Sequence, residues 1–390
     1  MNTPIVRQRH LALIIIVVGL VVAAVAGTGA VSSAAAPDGP TAGPPGAPSV
    51  QAVTQSVLVA RSAEGRDSLW VLSPSTGAPT AAGVLPGIAA SVAVSPDGEN
   101  VAYLPRGGTP RVWVGYGPLA PRTVSLTGAG VRRVDSFTWI DGRRLVVAGA
   151  TARKAGPERD RLYLVDLVAR TTAPFRKLQG TEPYVAPGGA KLVYVRLTVL
   201  KPATKANQYS ATVRESLREV RLSGGKGRTV TSETYRLAAE RRSFARPQLS
   251  RNGKWLLTAA TGSDISVTYS LCDASGGSPL LSVYTGALAS QAGWDAAGRT
   301  AFGGMPDMSH TDEACVWVYQ PDVGRLTRTP LGLLPRLMVT DLAWSADGDL
   351  VAGARDWGTA SRASHVIVLP GSLGGKNDLG RGRLPVWVTP

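Results

Sequence analysis

The sequence predicts an all-β fold, a β-propeller of four-stranded blades, with seven blades expected and six as the competing count. Three observations carry this. A short phrase recurs along the 390 residues: an apolar strand often ending in Trp, a tight turn closed by glycine, and a second apolar strand. The turn glycines stand at 98, 142, 189, 253, 298 and 348, in steps of 44, 47, 64, 45 and 50 residues. A period of about 40–50 residues with strand-rich units is that of propeller blades. Most copies also lead into a third strand and a more polar fourth, with the alternation that stacked sheets require.

Residues 1–36 come first, as a signal-anchor or signal peptide. Arg7 and Arg9 precede an apolar run from Leu11 to Ala26, and small residues continue to Ala36. Basic residues before such a run keep the N-terminus in the cytoplasm and export the remainder of the chain. Ala34-Ala35-Ala36 has the form of a cleavage site, but Pro37 directly after it hinders cutting. The expectation is therefore a single-pass membrane protein with its propeller outside, secreted if the leader is cleaved. Residues 37–54, rich in Pro, Gly and Ala, read as a linker. The propeller occupies 55–390.

Within it, Val57-Leu58-Val59-Ala60 and Leu69-Trp70-Val71-Leu72 look like second and third strands of a unit lacking its first. Leu384-Pro385-Val386-Trp387-Val388 is a spare strand at the other end. A ring closes best when one blade takes strands from both termini, since closure removes exposed edges. The clearest copy of the phrase is Ala93-Val94-Ser95-Pro96-Asp97-Gly98 before Val101-Ala102-Tyr103-Leu104. Pro96 presets the first corner of the turn, Asp97 can bond the backbone ahead, and Gly98 takes the left-handed corner. Further copies carry Trp139-Ile140-Asp141-Gly142, Ala186-Pro187-Gly188-Gly189, Ser250-Arg251-Asn252-Gly253, Trp294-Asp295-Ala296-Ala297-Gly298 and Trp344-Ser345-Ala346-Asp347-Gly348. Asp97 and Asp347 are read as braces of their turns. Trp139, Trp255, Trp294 and Trp344 are read as core residues between blades.

These turns resemble the repeats of the TolB family and its WD-type relatives, whose units carry a similar Trp-Ser-Pro-Asp-Gly turn. The resemblance runs from about Val57 to the C-terminus and implies the propeller fold. Founding members of that family carry an α/β domain ahead of the propeller, for which no counterpart is expected before Val57. Activity that depends on that domain is not carried over.

Composition narrows the function. Lys and Arg number 42 against 27 Asp and Glu, a net charge of +15, which favours anionic partners. For an exported chain these are an envelope protein or an anionic cell-wall polymer. No nucleic-acid module is present in the sequence, and a monomer is expected. Framed serine nucleophiles, phosphate-binding loops and zinc helices are missing from the sequence, so no cofactor is expected. The leading expectation is a non-enzymatic binding scaffold. The alternative is an exported glycan hydrolase or lyase with acids at the central funnel.

Three sets of residues are candidates. The long step between Arg196 and Arg246 holds twelve Lys or Arg against four Glu. Lys201, Lys205, Arg236, Arg241, Arg242 and Arg246 are the expected partner-binding residues there, on loops at one rim. Asp307, His310, Asp312 and Glu313 crowd one loop as a metal candidate, without the glycine-defined spacing of a calcium loop. Cys272 and Cys315, both in the exported part, are a candidate disulfide.

Overall fold

Each turn of the recurring phrase joins the innermost strand of a blade to its second strand. In the computed structural model, the described residues are 55–116, 121–151, 159–202, 211–236, 242–261, 266–275, 279–287, 290–304, 315–332, 337–356, 364–372 and 374–388. All belong to the unit Ala52–Pro390. They form seven four-stranded antiparallel sheets. Blades 1 to 6 have the inner strands Ala89–Val94, Val131–Trp139, Thr181–Val185, Arg242–Leu249, Ser290–Trp294 and Leu337–Trp344. Blade 7 is the composite expected from the sequence. Its inner strand is the C-terminal Arg383–Val388, paired to Ser56–Ala63, then Arg66–Leu72 and Pro79–Val84. Val57 faces Trp387 and Leu58 faces Val386 across that seam. Each inner strand touches the next around the ring, and that of blade 7 touches blades 6 and 1, so the ring is closed.

The turns hold by side-chain chemistry specific to the phrase. Ser95 is buried, its hydroxyl bonds Asp97, and it accepts the N–H of Asn100 at 2.8 Å. Asp97 accepts the N–H of Glu99 at 3.1 Å, as expected of a brace. Ser250 and Asn252 repeat the arrangement in blade 4. In blade 6 it is Ser345 that accepts the Asp349 N–H, at 2.8 Å, while Asp347 is exposed and makes no such bond. Gly98 and Gly348 are left-handed at φ 78° and 85°. Gly142 is not left-handed. It is glycine because a Cβ there would stand 1.7 Å from Asp97 Oδ2 of the preceding blade.

The tryptophans stitch one blade to the next. Trp139, Trp294, Trp344 and Trp387 occupy the same position of their inner strands. Each indole N–H donates to a carbonyl of the preceding inner strand: Ala93, Gln248, Gly293 and Ala343, at 3.1–3.3 Å. Trp255 lies on a second strand, buried among Leu257, Tyr269 and Trp317. The core therefore consists of slabs between neighbouring sheets, such as the one joining Val57, Leu72, Val351, Val366 and Trp387.

The long step has a different form from the one expected. Its extra length extends blade 3, whose later strands run Lys191–Lys201, Thr212–Arg221 and Arg228–Arg236. Lys201 and Arg214 thus lie in strands, because the run Val193-Tyr194-Val195-Arg196-Leu197-Thr198-Val199 keeps a strand-forming composition well past the usual length.

Candidate functional site

Three residues before the Trp position, the inner strands carry Ser91, Ser136, Glu182, Arg246, Gln291, Asp341 and Leu384, one from each blade. The pairing register of every inner strand shifts around this position. A bulge bends a strand and re-aims its side chains. Glu182, Arg246 and Leu384 each precede a proline and are left-handed at φ 51°, 49° and 51°. Such backbone costs about 1–3 kcal/mol per residue and persists only where surroundings fix it.

Here the neighbouring blades fix it. The Glu182 N–H donates to Ser136 Oγ at 3.1 Å. The Arg246 N–H donates to the Glu182 carboxylate, and the Gln291 amide donates to the Arg246 carbonyl. The Leu384 N–H donates to Asp341, whose Oδ2 also accepts the Thr340 hydroxyl at 2.8 Å. Burial pushes the Asp341 carboxyl above the usual carboxylate range, against the opposing pull of those bonds and of Arg246 and Arg383. The hub is thus braced from blade 2 through blade 5 and from blade 6 to blade 7, and Glu182 and Asp341 already accept backbone N–H groups.

Closer to the turns, side chains of blades 3 and 4 converge on the backbone of blade 5. A Cβ on Gly293 of blade 5 would lie 3.7 Å from the Tyr184 hydroxyl and 3.8 Å from the Gln248 amide. Burial raises the Tyr184 phenol well above its ordinary value. The Gln248 and Gln291 amide oxygens are buried without a hydrogen-bond partner among the described residues. These acceptors suit bound water or a ligand donor.

Beyond this constriction the hub opens on the turn face into a concavity of about 730 Å³. All seven blades reach it, through Pro96, Phe137, Tyr184, Arg251, Trp294, Trp344 and Trp387 among others. Its walls are mostly aromatic, proline and small residues, with Asp97, Asp295 and Arg251 as charges. Asp295 is itself occupied, accepting Arg299 Nε at 2.6 Å. Arg299 also donates to the Gly348 and Gly371 carbonyls and lies over Trp344, fixing that wall.

The residues expected from the sequence are distributed differently. Lys201 and Arg236 share the far end of blade 3, on the two strands that flank Thr212. Arg246 is not with them. It sits in the hub ring, because Pro247 and the bulge place it inside an inner strand. Lys205, Arg241 and the metal candidates Asp307, His310, Asp312 and Glu313 lie outside the described residues. Of Arg242 only the backbone, at the start of blade 4, is described. Among the described residues no group of three or more His, Cys, Asp or Glu is placed to hold a metal. The candidate pair Cys272 and Cys315 is not joined in a disulfide. Cys272 ends a third strand beside Leu256, while Cys315 begins one, buried with Phe302 and Trp317, so they belong to opposite ends of adjacent blades. Burial and Asp273 raise the Cys272 thiol, which makes it a weak nucleophile.

No protein-family model and no curated protein matches the chain in sequence. Solved structures of similar fold include the propeller domain of the Trilobed protease from Pyrococcus furiosus, described as having an open velcro topology. It has 13% identity and a TM-score of 0.54, covering 85% of this chain and 95% of that one. A proposed 6-phosphogluconolactonase from Bacteroides fragilis has 11% identity and a TM-score of 0.51, covering 88% and 97%. TolB from Acinetobacter baumannii has 14% identity and a TM-score of 0.44, covering 86% and 66%. These likenesses are of fold alone. The chain is a seven-bladed propeller, and solved TolB structures are among those it is similar to.

Proposed function

We propose that the protein is an exported, membrane-tethered propeller that acts as a non-catalytic scaffold, holding an envelope protein or cell-wall polymer at the turn-face mouth of its hub. The observation that carries this is the mouth itself: a concavity of about 730 Å³ built by all seven blades and walled largely by aromatic and small residues. Interface cores favour that composition, aromatic-rich and poor in charge. The hub carboxylates Glu182 and Asp341 are spent on bracing neighbouring strands, which supports a binding role over acid–base chemistry. Export and tethering rest on Arg7, Arg9 and the apolar run Leu11 to Ala26.

The test is site-specific photocrosslinking in intact cells. A photoreactive residue at Ala296, exposed at the mouth, should give a discrete adduct, whereas one at Val168, 68% exposed on blade 2, should not. Equal adducts at both positions, or none at Ala296, would overturn the mouth as the binding surface.

A further inference from the structure

The opposite face of the ring holds a second concavity, which neither the hub nor the mouth explains. Second strands end on this face, and the chain enters each inner strand from it. Between blades 6, 7 and 1 a cavity of about 440 Å³ is lined by Arg61, Arg106, Arg355, Arg381 and Arg383. They make up half of the ten described residues that line it, and none of those ten is Asp or Glu. The volume falls in the usual range of small-ligand sites, about 300–1,000 Å³.

The five arginines are not equivalent. Arg383 is structural: its guanidinium pairs with the fully buried Asp67 and donates to the Ala89 carbonyl and the Ser62 hydroxyl. Asp67 in turn accepts the Ala89 N–H at 2.8 Å, so this pair is neutral and ties blade 7 to blade 1. Arg61 is pre-oriented, with Nε on the Arg381 carbonyl at 2.9 Å and its guanidinium over Trp70 at 4.9 Å. Arg106, Arg355 and Arg381 are exposed and have neither an ion pair nor a side-chain hydrogen bond among the described residues. The backbone at Arg381 is set by Gly382, where a Cβ would stand 2.9 Å from Val366 and 3.0 Å from Val59.

Four positive groups therefore converge on one concavity with no facing acid among the described residues. Like charges gathered this way repel, at a cost an anionic ligand would relieve. Planar guanidinium forks match the oxygens of phosphate better than ammonium groups do. We infer that this cavity is an oxyanion site that takes a multiply charged phosphate group, free in solution or at the head of a larger molecule. Arg61, Arg106, Arg355 and Arg381 bind the oxyanion, and the Arg383–Asp67 pair is the rigid floor.

The experiment is calorimetric titration of the full chain with inorganic pyrophosphate and with inorganic phosphate, at two salt concentrations. Flotation with vesicles of phosphatidic acid, a phosphomonoester, or of phosphatidylcholine separates a headgroup source from a soluble one: flotation with phosphatidic acid alone supports a headgroup, and pyrophosphate binding without flotation supports a soluble ligand. Saturable pyrophosphate binding that weakens with salt is expected, with at least a tenfold loss in Arg355→Gln/Arg381→Gln. The unliganded melting temperature of that variant should equal or exceed the wild type's, since neither guanidinium holds a bond among the described residues and their mutual repulsion is removed. Arg236→Gln, on blade 3, should bind as the wild type does. Absence of binding in the wild type, equal binding by the double variant, or an equal loss in Arg236→Gln would each overturn the site.

Discussion

Closure of the ring through Trp387 can be tested quantitatively. Its indole is 8% exposed and packs against Val57, Val59 and Leu72 of blade 7 and Val351, Val366 and Val368 of blade 6. Its N–H donates to the Ala343 carbonyl at 3.2 Å. Trp387→Ala removes this buried bulk and costs about 3–5 kcal/mol. Of that, about 1 kcal/mol belongs to the hydrogen bond, and Trp387→Phe isolates it together with a small loss of ring area, about 1–2 kcal/mol in all. Against a total stability of about 5–15 kcal/mol, the alanine variant should lose a large share. The assay is equilibrium urea unfolding monitored by far-ultraviolet circular dichroism, with Trp70→Ala as the comparison. Trp70 is half-buried at the edge of the same cluster and on a third strand; its indole donates to Ser68 within its own strand and lies under Arg61, with no hydrogen bond to another blade among the described residues. If the two alanine variants cost the same, or Trp387→Ala costs under about 1 kcal/mol, the seam does not hold the ring and the reasoning fails.

Two further outcomes are set by the geometry. Because the folded Asp341 carboxyl lies above its unfolded value, the folded chain binds more protons between the two. Stability then falls as pH rises through that window and stays reduced above it. Asp341→Asn keeps an oxygen for the Leu384 N–H, so it should flatten that slope and be neutral or stabilising at pH 7, read as melting temperature against pH; a loss above about 1 kcal/mol would contradict it. Gly142→Ala should destabilise by about 1–3 kcal/mol by displacing Asp97, and less in an Asp97→Ala background, where a double-mutant cycle should show coupling above about 0.5 kcal/mol.

How far the hub was legible from sequence depends on the residue. The motifs Glu182-Pro183, Arg246-Pro247 and Leu384-Pro385 stand at one fixed distance from the Trp position, and that recurrence was available as a signal. Their partners were not, because Ser136, Gln291 and Asp341 reach the ring through bulges that period-two reading does not register. The arginine cavity was equally hidden. Its members lie between 61 and 383 in the chain, and only ring closure makes them neighbours.

Turn chemistry and strand periodicity are local, so the phrase around Ser95-Pro96-Asp97-Gly98 and its five copies determined the propeller, its four-stranded units and the composite last blade. Contacts between residues tens to hundreds apart are not local, and only the tertiary structure decided them. It committed Glu182 and Asp341 to bracing, kept Cys272 from Cys315, carried Arg246 away from Lys201, and brought Arg61 to Arg381 across the seam. The physical reason is that a closed ring fixes which strand ends share a face, and charge and hydrogen bonding act on that proximity rather than on distance along the chain.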